Sequence, residues 1–318
     1  MSTHPAPGRG LILAAFAAIY LVWGSTYLAI LVGLKTIPPF LLSGIRFSTA
    51  GAILLGWQMA KGERPPVRPG LQHAFAGILM LFGGTGTVVW VEQYISSGMA
   101  AIIVASMPFW FVLLDYKQWS FNFSNGLILS GILVGFAGIV YLFGVDSAGA
   151  QGLNAQVFAM LMLLAGCIFW ATGSLYLKYR PASVSTTMGA GIQMLAAGLF
   201  SLLVGWQQGE LRAFSFARVS AESWAGLTYL IGFGSLVAYS AYVWLLRIRP
   251  AVQVGTYAYV NPVVAVLLGW LLVNEPFAWR QMAALGIILG GVLLINLPKY
   301  RSFLALPRWS KQKAAGAE

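Results

Sequence analysis

Apolar runs of about 20 residues follow one another along almost the whole chain, separated by short stretches of Pro, Gly and charged residues. A bilayer core about 30 Å thick needs about 20 residues of helix, at a rise of about 1.5 Å per residue. The pattern therefore predicts an all-α membrane protein with ten transmembrane helices. They are expected near residues 11–34, 39–60, 71–95, 97–119, 124–143, 154–178, 184–207, 222–246, 250–272 and 278–297.

The composition excludes a water-soluble fold. Apolar residues make up 59% of the chain and charged residues 8%, against about 25% charged in a soluble domain, and the mean hydropathy is +0.78. The net charge of +11 comes from residues between the apolar runs, which is typical of loops and not of a nucleic-acid surface. We predict the lipid bilayer and a small-molecule substrate as partners, no nucleic acid, and a monomer.

Lys and Arg are distributed unequally between the two sides of the predicted bundle. The side that holds both termini has fourteen: Arg9, Lys61, Arg64, Arg68, Lys117, Lys178, Arg180, Arg247, Arg249, Lys299, Arg301, Arg308, Lys311 and Lys313. The other side has four, namely Lys35, Arg212, Arg218 and Arg280. Because positively charged loops stay in the cytoplasm, we predict a multi-pass protein of the cell inner membrane with both termini cytoplasmic. The basic tail, 298–318, either rests on anionic headgroups or is solvated without a role.

Short motifs recur at a constant offset and indicate an internal duplication. Gly24-Ser25-Thr26-Tyr27 recurs as Gly173-Ser174-Leu175-Tyr176, and Gly56-Trp57-Gln58 as Gly205-Trp206-Gln207, both 149 residues later. Each half, 11–143 and 154–297, holds five predicted helices. Since five is odd, the second half must enter the membrane from the opposite face. Such inverted repeats are common in secondary transporters, which bind substrate near the midplane between the halves.

Several of these segments resemble a known family. Tyr20 to Tyr27, Pro38-Pro39 and Gly44-Ile45-Arg46-Phe47 resemble the start of an EamA-type member of the drug/metabolite transporter superfamily. Glu92-Gln93, Ser97-Gly98, Met107-Pro108, Tyr257 to Val264 and Asn274-Glu275-Pro276 resemble later helices of its bacterial metabolite and amino-acid exporter branch. The resemblance covers residues 11–297. It implies two inverted five-helix repeats and export of small metabolites, with aromatic and other amino acids as substrates of related exporters.

One segment departs from the family pattern. Where Glu275 follows the ninth helix, the stretch from Tyr116 to Phe121 after the fourth helix has no acidic residue. We therefore expect the first-repeat hairpin to be held differently.

Catalytic chemistry has few candidates. His4 and His73, the only histidines, fall outside or at the edge of the predicted membrane region, and Cys167, the only cysteine, lies in an apolar run. This arrangement argues against a zinc site, a haem site or a Ser-His pair within the spans. No phosphate-binding loop of the GxxxxGK[ST] type is present. We predict no enzyme activity, no metal and no cofactor.

Away from the ends of the predicted spans, Arg46 and Glu92 are the charged residues that call for an explanation. Arg46 is either a ligand for a substrate carboxylate or a structural clamp on helix ends or on Glu92, because a permanent charge in a span must face the protein interior. Glu92 either couples transport to protons or pairs with a nearby cation. With no other acidic residue near the midplane, we predict facilitated movement with weak coupling at most.

Residues near the middle of each span are candidates for a substrate cavity. Trp23 and Trp170 lie in corresponding helices of the two halves, the first and the sixth, far from the interfaces where Trp normally sits, so they either line a cavity or pack against lipid or protein. The predicted cavity residues are Trp23, Tyr27, Thr85, Trp90, Gln93, Trp170, Gln193, Ser235, Tyr239, Tyr257 and Asn261. Pro108 and Pro262 are predicted hinges because each removes a helix hydrogen bond.

Small residues predict close packing of the fifth and tenth helices, through Gly131 and Gly135 on one and Gly286 and Gly290 on the other.

The predicted function is a secondary transporter that exports small metabolites, aromatic or hydrophobic amino acids first, by alternating access around a midplane cavity. The alternatives are export of other amphipathic solutes such as drugs or nucleosides, a channel, or a membrane scaffold that transports nothing.

Overall fold

A computed structural model describes residues 8–143, 153–180, 184–249, 254–275 and 278–304. Ten apolar helices account for most of these residues, and no strand occurs in the described ranges. They are α1 (Arg9–Gly33), α2 (Pro39–Ala60), α3 (Val67–Val91), α4 (Ser97–Leu114), α5 (Gly126–Phe143), α6 (Leu153–Tyr179), α7 (Thr186–Gln207), α8 (Ala221–Ile248), α9 (Tyr257–Val273) and α10 (Trp279–Leu304). All but the shorter α9 have the length and hydropathy to cross a membrane.

Several helix boundaries differ from the sequence prediction: α3 ends at Val91 instead of near residue 95, α4 ends at Leu114 instead of near residue 119, and α9 begins at Tyr257 instead of near residue 250. Helix α10 continues to Leu304, so the first residues of the predicted tail, 298–304, are helical, and 305–318 lie outside the described residues. Helix α4 consists of two segments, Ser97–Val104 and Met107–Leu114, which meet at a turn.

The two repeats interlock. The first helix of each repeat packs on the third and fourth helices of the other, α1 on α8 and α9, and α6 on α3 and α4. The second helices, α2 and α7, pack on each other, and so do the fifth helices, α5 and α10. This exchange of equivalent contacts confirms the predicted fold class of ten helices in two inverted five-helix repeats.

Helices α2 and α7 approach most closely at two glycines. A Cβ atom on Gly51 would lie 2.4 Å from the backbone nitrogen of Leu195, and one on Gly198 would lie 2.3 Å from the backbone nitrogen of Ser48. Neither position has room for a larger side chain. Between membrane helices, where lipid is as apolar as the side chains, such small residues allow the close contact that holds the pair together.

Acidic residues from one repeat cap helices of the other. The Glu210 carboxylate, just after α7, accepts the backbone N–H groups of Phe40 (3.2 Å) and Leu41 (2.8 Å) at the start of α2. The Glu275 carboxylate, just after α9, accepts those of Ser97 (3.0 Å) and Gly98 (3.3 Å) at the start of α4. Both satisfy N–H groups that the first turn of a helix leaves unpaired.

The hairpin after α4 is held by other contacts, as its sequence predicts. The Trp119 indole donates to the carbonyl of Leu113 (2.9 Å), and the Asn122 amide donates to that of Val112 (3.3 Å). Asp115, at the end of α4, accepts hydrogen bonds from Lys178 (3.2 Å) and from the Tyr179 hydroxyl at the end of α6. These contacts hold the first-repeat hairpin to its own preceding helix and to α6.

The packing of α5 on α10 confirms one half of the predicted glycine contact and corrects the other. A Cβ atom on Gly131 would lie 2.6 Å from the carbonyl oxygen of Gly291, and a Cβ atom on Gly291 would lie 2.6 Å from that of Gly131. Gly286 and Gly290, the predicted pair on α10, face open space. Gly291 therefore makes the contact, because one residue along a helix rotates a side chain by about 100°.

We expect Gly291→Ala to lower the thermal stability of the purified protein, since the added methyl group forces α5 and α10 apart at a cost of roughly 1–3 kcal/mol. Gly290→Ala is the matched control on the adjacent residue and should melt like the native chain. Melting in detergent, followed by size-exclusion chromatography after heating, measures both. Equal melting temperatures for the two variants would contradict this account of the α5–α10 contact.

Candidate functional site

A cavity lies between the two repeats. Its lining comes from seven helices, α1, α2, α3, α4, α6, α8 and α9. The cavity has a volume of about 70 Å³, smaller than the roughly 300–1,000 Å³ usual for small-molecule sites, so a solute as large as an amino acid requires the lining helices to move apart. Seven of the eleven predicted cavity residues line it, namely Trp23, Tyr27, Thr85, Trp170, Tyr239, Tyr257 and Asn261.

Three helices depart from α-helical geometry beside this cavity. The segments Ala18–Val22 of α1, Ile78–Gly86 of α3 and Leu230–Tyr239 of α8 are π-helical. The wider turns leave backbone carbonyls to be satisfied by side chains. The Thr26 hydroxyl donates to the carbonyl of Trp23 (2.7 Å), and the Thr87 hydroxyl to that of Gly83 (2.6 Å). The cavity is thus surrounded by backbone that is adapted to a polar interior.

Aromatic rings form one wall of the cavity. The ring of Trp23 lies 5.5 Å from that of Trp170, 5.0 Å from that of Tyr257 and 5.1 Å from that of Tyr242, between ring centres. The Trp23 contacts with Trp170 and Tyr257 are edge-to-face, a favourable arrangement for rings. We call Trp23, Trp170, Tyr242 and Tyr257 the aromatic cluster. It joins α1, α6, α8 and α9, and hence both repeats.

Hydrogen bonds fix the orientation of the cluster. The Trp170 indole donates to the Tyr242 hydroxyl (3.1 Å), which also bonds Ser174 (2.9 Å), and the Trp23 indole donates to the carbonyl of Gly234 (3.3 Å). Trp170 is buried, which excludes the lipid-facing alternative for that ring. Sequence analysis missed Tyr242; its spacing of three residues from Tyr239, on one face of α8, was the available signal.

Arg46 lies at the edge of the cavity and is only 3% exposed. Its Nε donates to the hydroxyl of Ser235 (2.9 Å), and its guanidinium lies 4.7 Å from the centre of the Phe47 ring. Its Nη1 has no hydrogen-bond partner. Among the described residues the ion pairs are Lys35–Glu222 and Lys178–Asp115, so the predicted alternative in which Arg46 clamps Glu92 is wrong.

Glu92, just after the end of α3, is 4% exposed, and neither of its carboxyl oxygens has a hydrogen-bond partner. The prediction that it pairs with a nearby cation is therefore wrong for the described part of the chain. The carboxyl lies close enough to Glu275 and Tyr27 for electrostatic interaction. Of these neighbours, Tyr27 lines the cavity.

Two predicted cavity residues lie behind the cavity wall. Ser235 is fully buried and holds Arg46. Gln193 is fully buried between the Tyr239 hydroxyl, which donates to its carbonyl oxygen, and His73 Nδ1, which is 2.6 Å from its amide nitrogen. His73 was expected at the membrane edge, but the structure buries it against α7. These residues position the lining and do not form it.

Trp90 and Gln93 line a second, more open space, the outer cleft, between α3, α6 and the start of α2. Gly83 and Gly84 of α3 pack closely against Phe169 and Trp170 of α6. Glu210 also lines the outer cleft. Burial raises the pKa of Glu210 above its ordinary value, although the backbone N–H groups of Leu41 and Phe40 oppose the rise.

The two predicted hinge prolines occupy different helix positions. Pro262 lies inside α9, where its ring leaves the carbonyl four residues earlier without a helix partner. With its amide nitrogen facing them, the adjacent Asn261 donates to the carbonyls of Tyr20 (2.9 Å) and Tyr257 (3.1 Å). Pro108 lies in the first turn of the segment that begins at Met107, where no N–H is required. The predicted loss of a helix hydrogen bond at Pro108 is therefore wrong.

Metal ligands do not converge in the described ranges. No group of three or more His, Cys, Asp or Glu side chains lies close enough there to hold an ion. Cys167 lines the cavity as a buried free thiol. The arrangement supplies aromatic surface, hydroxyls and one guanidinium, which are groups for binding a solute.

Comparison with known sequences gives consistent matches. The model of the EamA-like transporter family matches residues 8–144 and again residues 157–297. The inner membrane transporter YedA of Escherichia coli K12 is 38% identical over 292 residues, covering 91% of this chain and 92% of YedA. The transporter YvbV of Bacillus subtilis is 24% identical and covers 91% of this chain and 92% of its own length.

A plant sequence and a solved structure extend the comparison. The chloroplastic WAT1-related protein At3g02690 of Arabidopsis thaliana is 25% identical over 88% of this chain and 68% of its own length. A protein crystal structure superposes with a TM-score of 0.65 at 22% identity, covering 93% of this chain and 99% of that one. At this identity the superposition shows a shared fold.

The different positions of the two prolines lead to different expected effects on transport. We expect Pro262→Ala to lower the transport rate several-fold, because the new N–H completes the helix and stiffens α9 beside Asn261. Pro108→Ala is the matched comparison and should stay within about twofold, since a first-turn N–H has no helix partner to gain. Initial rates of substrate exchange in proteoliposomes test both. Equal rates for native protein and Pro262→Ala would contradict a hinge at this position.

Proposed function

The chain belongs to the EamA-like transporter family, and from that premise we propose that it exports small amphipathic metabolites, aromatic and hydrophobic amino acids first. It is a membrane transporter by family. The substrate, the direction and the alternating-access mechanism are the proposal. In it, the interlocked repeats move relative to each other and open the cavity to one side of the membrane at a time.

The aromatic wall of the cavity is the observation that carries the proposal. Trp23, Trp170 and Tyr257 come from both repeats and meet beside a cavity of about 70 Å³ that movement of the repeats would enlarge. Rings stack on the side chains of aromatic solutes and attract an ammonium group to their faces. Relative movement of the repeats would separate these rings and release the solute.

The second candidate is export of other amphipathic solutes, such as nucleosides or drugs. Aromatic rings and hydroxyl groups bind many such molecules, so the cavity lining also supports this candidate. A channel is disfavoured, since channels usually repeat polar groups around a pore, and this lining is mostly apolar. We propose no enzyme activity and a monomer as the working unit.

The proposed transport is facilitated and follows the solute gradient. No Asp or Glu belongs to the cavity lining in the described residues, so a proton cannot compete directly with substrate for a carboxylate there. Glu92 lies outside the lining. Any coupling through it would act indirectly.

We propose that the protein lies in the inner membrane, like its relative YedA, with both termini in the cytoplasm. The support is the excess of Lys and Arg on the terminal side. Reporter fusions after Leu304 test this orientation. We expect a reporter that is active only in the cytoplasm to work there, and a reporter that is active only outside to fail. The reverse result would overturn the proposed orientation.

The proposed substrate predicts saturable exchange. Proteoliposomes that contain the purified chain and are loaded with unlabelled phenylalanine should take up labelled phenylalanine without a pH gradient, and unlabelled tryptophan should compete. Saturation separates a carrier from a channel. Absence of exchange for amino acids, together with exchange of nucleosides, would favour the second candidate.

Substitution of one tryptophan in the cavity and of one on the surface tests whether the aromatic wall binds the substrate. We expect Trp23→Ala to weaken the apparent affinity for phenylalanine about fivefold, the equivalent of one aromatic contact of about 1 kcal/mol. Trp206 is 63% exposed, and Trp206→Ala should leave the affinity unchanged. If both substitutions change the apparent affinity equally, the aromatic wall is not part of the binding site.

A further inference from the structure

The Arg46 guanidinium is a buried cation without an anion. Its Nε is bonded to Ser235 and its Nη1 has no partner. No acidic side chain forms an ion pair with it in the described ranges. The residue nevertheless lines the cavity and is 3% exposed.

Such a charge is unfavourable unless something compensates it. Arginine stays protonated under all ordinary conditions. Burying an unpaired charge costs several kcal/mol, so buried charges are normally paired or hydrogen-bonded. The uncharged Ser235 hydroxyl and the Phe47 ring supply part of that compensation. The Nη1 group needs an acceptor, and none of the residues that the structure describes provides one.

We propose that Arg46 is the ligand for a carboxylate group of the transported solute. This inference rests on the proposed function and deepens it, because it states the chemical class that the cavity selects. A planar guanidinium offers two parallel N–H groups, which match the two oxygens of a carboxylate. The solute then completes the charge balance of the site only while it is bound.

The neighbours of Arg46 favour a carboxylate attached to an aromatic or apolar body. Trp23 and Arg46 meet at Gly234, where the Trp23 indole bonds the Gly234 carbonyl and a Cβ atom would lie 2.8 Å from Arg46 Nη2. The guanidinium and the aromatic cluster are therefore adjacent on one cavity wall. A solute that carries an acid group beside a ring contacts both.

Gly234 provides a test of this placement that leaves the charge in place. Gly234→Ala places a methyl group 2.8 Å from Arg46 Nη2, closer than van der Waals contact, so the guanidinium must shift away from its present position. Gly232 lies in the same π-helical segment, and a Cβ atom there meets nothing within 4 Å. Gly232→Ala is therefore the matched control.

The experiment compares ligands that share a phenyl ring and differ in charge. L-phenylalanine carries both charged groups, 3-phenylpropionate only the carboxylate, and 2-phenylethylamine only the ammonium. Thermal stabilisation of the purified full chain measures their binding, and competition against labelled phenylalanine in proteoliposomes measures their effect on transport. We expect phenylalanine and 3-phenylpropionate to bind at least about tenfold more tightly than 2-phenylethylamine, the size of one charge-assisted interaction.

Substitutions test whether Arg46 causes this preference for the carboxylate. Arg46→Gln should weaken binding of 3-phenylpropionate about tenfold or more and leave that of 2-phenylethylamine unchanged. Arg46→Lys keeps the charge and should give an intermediate loss. Gly234→Ala should weaken 3-phenylpropionate binding, and Gly232→Ala should not. If Arg46→Gln does not fold, the ligand series on the native chain and the glycine pair still decide the question.

The outcomes separate this inference from the proposed function. Exchange of phenylalanine, with 2-phenylethylamine competing as well as 3-phenylpropionate, would overturn the role of Arg46 and keep the amino-acid carrier. Selective binding of 3-phenylpropionate without phenylalanine exchange would support the carboxylate site and overturn the amino-acid substrate. Phenyl phosphate is added to the same ligand series. If it binds more tightly than 3-phenylpropionate, the solute group that Arg46 binds is a phosphoester and not a carboxylate. No binding of any of these ligands would overturn both.

Discussion

Close packing of helices from opposite repeats is the constraint on which this structure depends. Lipid is as apolar as the helix surfaces, so burial alone gives two membrane helices little reason to associate, and van der Waals contact between backbones must supply the attraction. Gly51 and Gly198 provide it between α2 and α7, and Gly131 and Gly291 between α5 and α10. The α2–α7 contact also fixes the face of α2 that carries Arg46. The charge therefore reaches the cavity because two glycines elsewhere on the same pair of helices allow the approach.

The cavity itself results from the way the repeats interlock and from local departures from α-helical geometry. Helices α1 and α6 each pack into the other repeat, which brings Trp23 and Trp170 together although 147 residues separate them in the chain. The π-helical segments of α1, α3 and α8 and the turn within α4 lie around the same space. Irregular backbone in a membrane is tolerated only inside protein or beside a polar cavity. The occurrence of several irregular backbone segments around one cavity is consistent with a site that must hold polar groups and change shape.

The two buried charges show how tertiary structure can separate groups that the sequence suggests as partners. Arg46 lies near the start of α2 and Glu92 just after the end of α3, yet neither has an ion-pair partner among the described residues. Arg46 faces α8 through Ser235, whereas Glu92 lies near Glu275 and Tyr27. Uncompensated buried charges are costly in any protein. The unpaired Arg46 guanidinium is understandable if a bound solute supplies its partner during transport.

The sequence by itself determined the number of helices, their approximate bounds, the inverted repeat and most of the ring-bearing residues around the cavity. Length and periodicity of apolar runs are local properties, and the bilayer converts them directly into helices. Only the tertiary structure decided which side chains meet. Gly291 packs on α5 and the neighbouring Gly290 does not; Gln193 and Ser235 support the cavity wall instead of lining it; Trp90 and Gln93 face a separate cleft. These outcomes depend on the rotation of each helix about its axis and on partners more than 100 residues away, and a shift of one residue, about 100° of rotation, changes each of them.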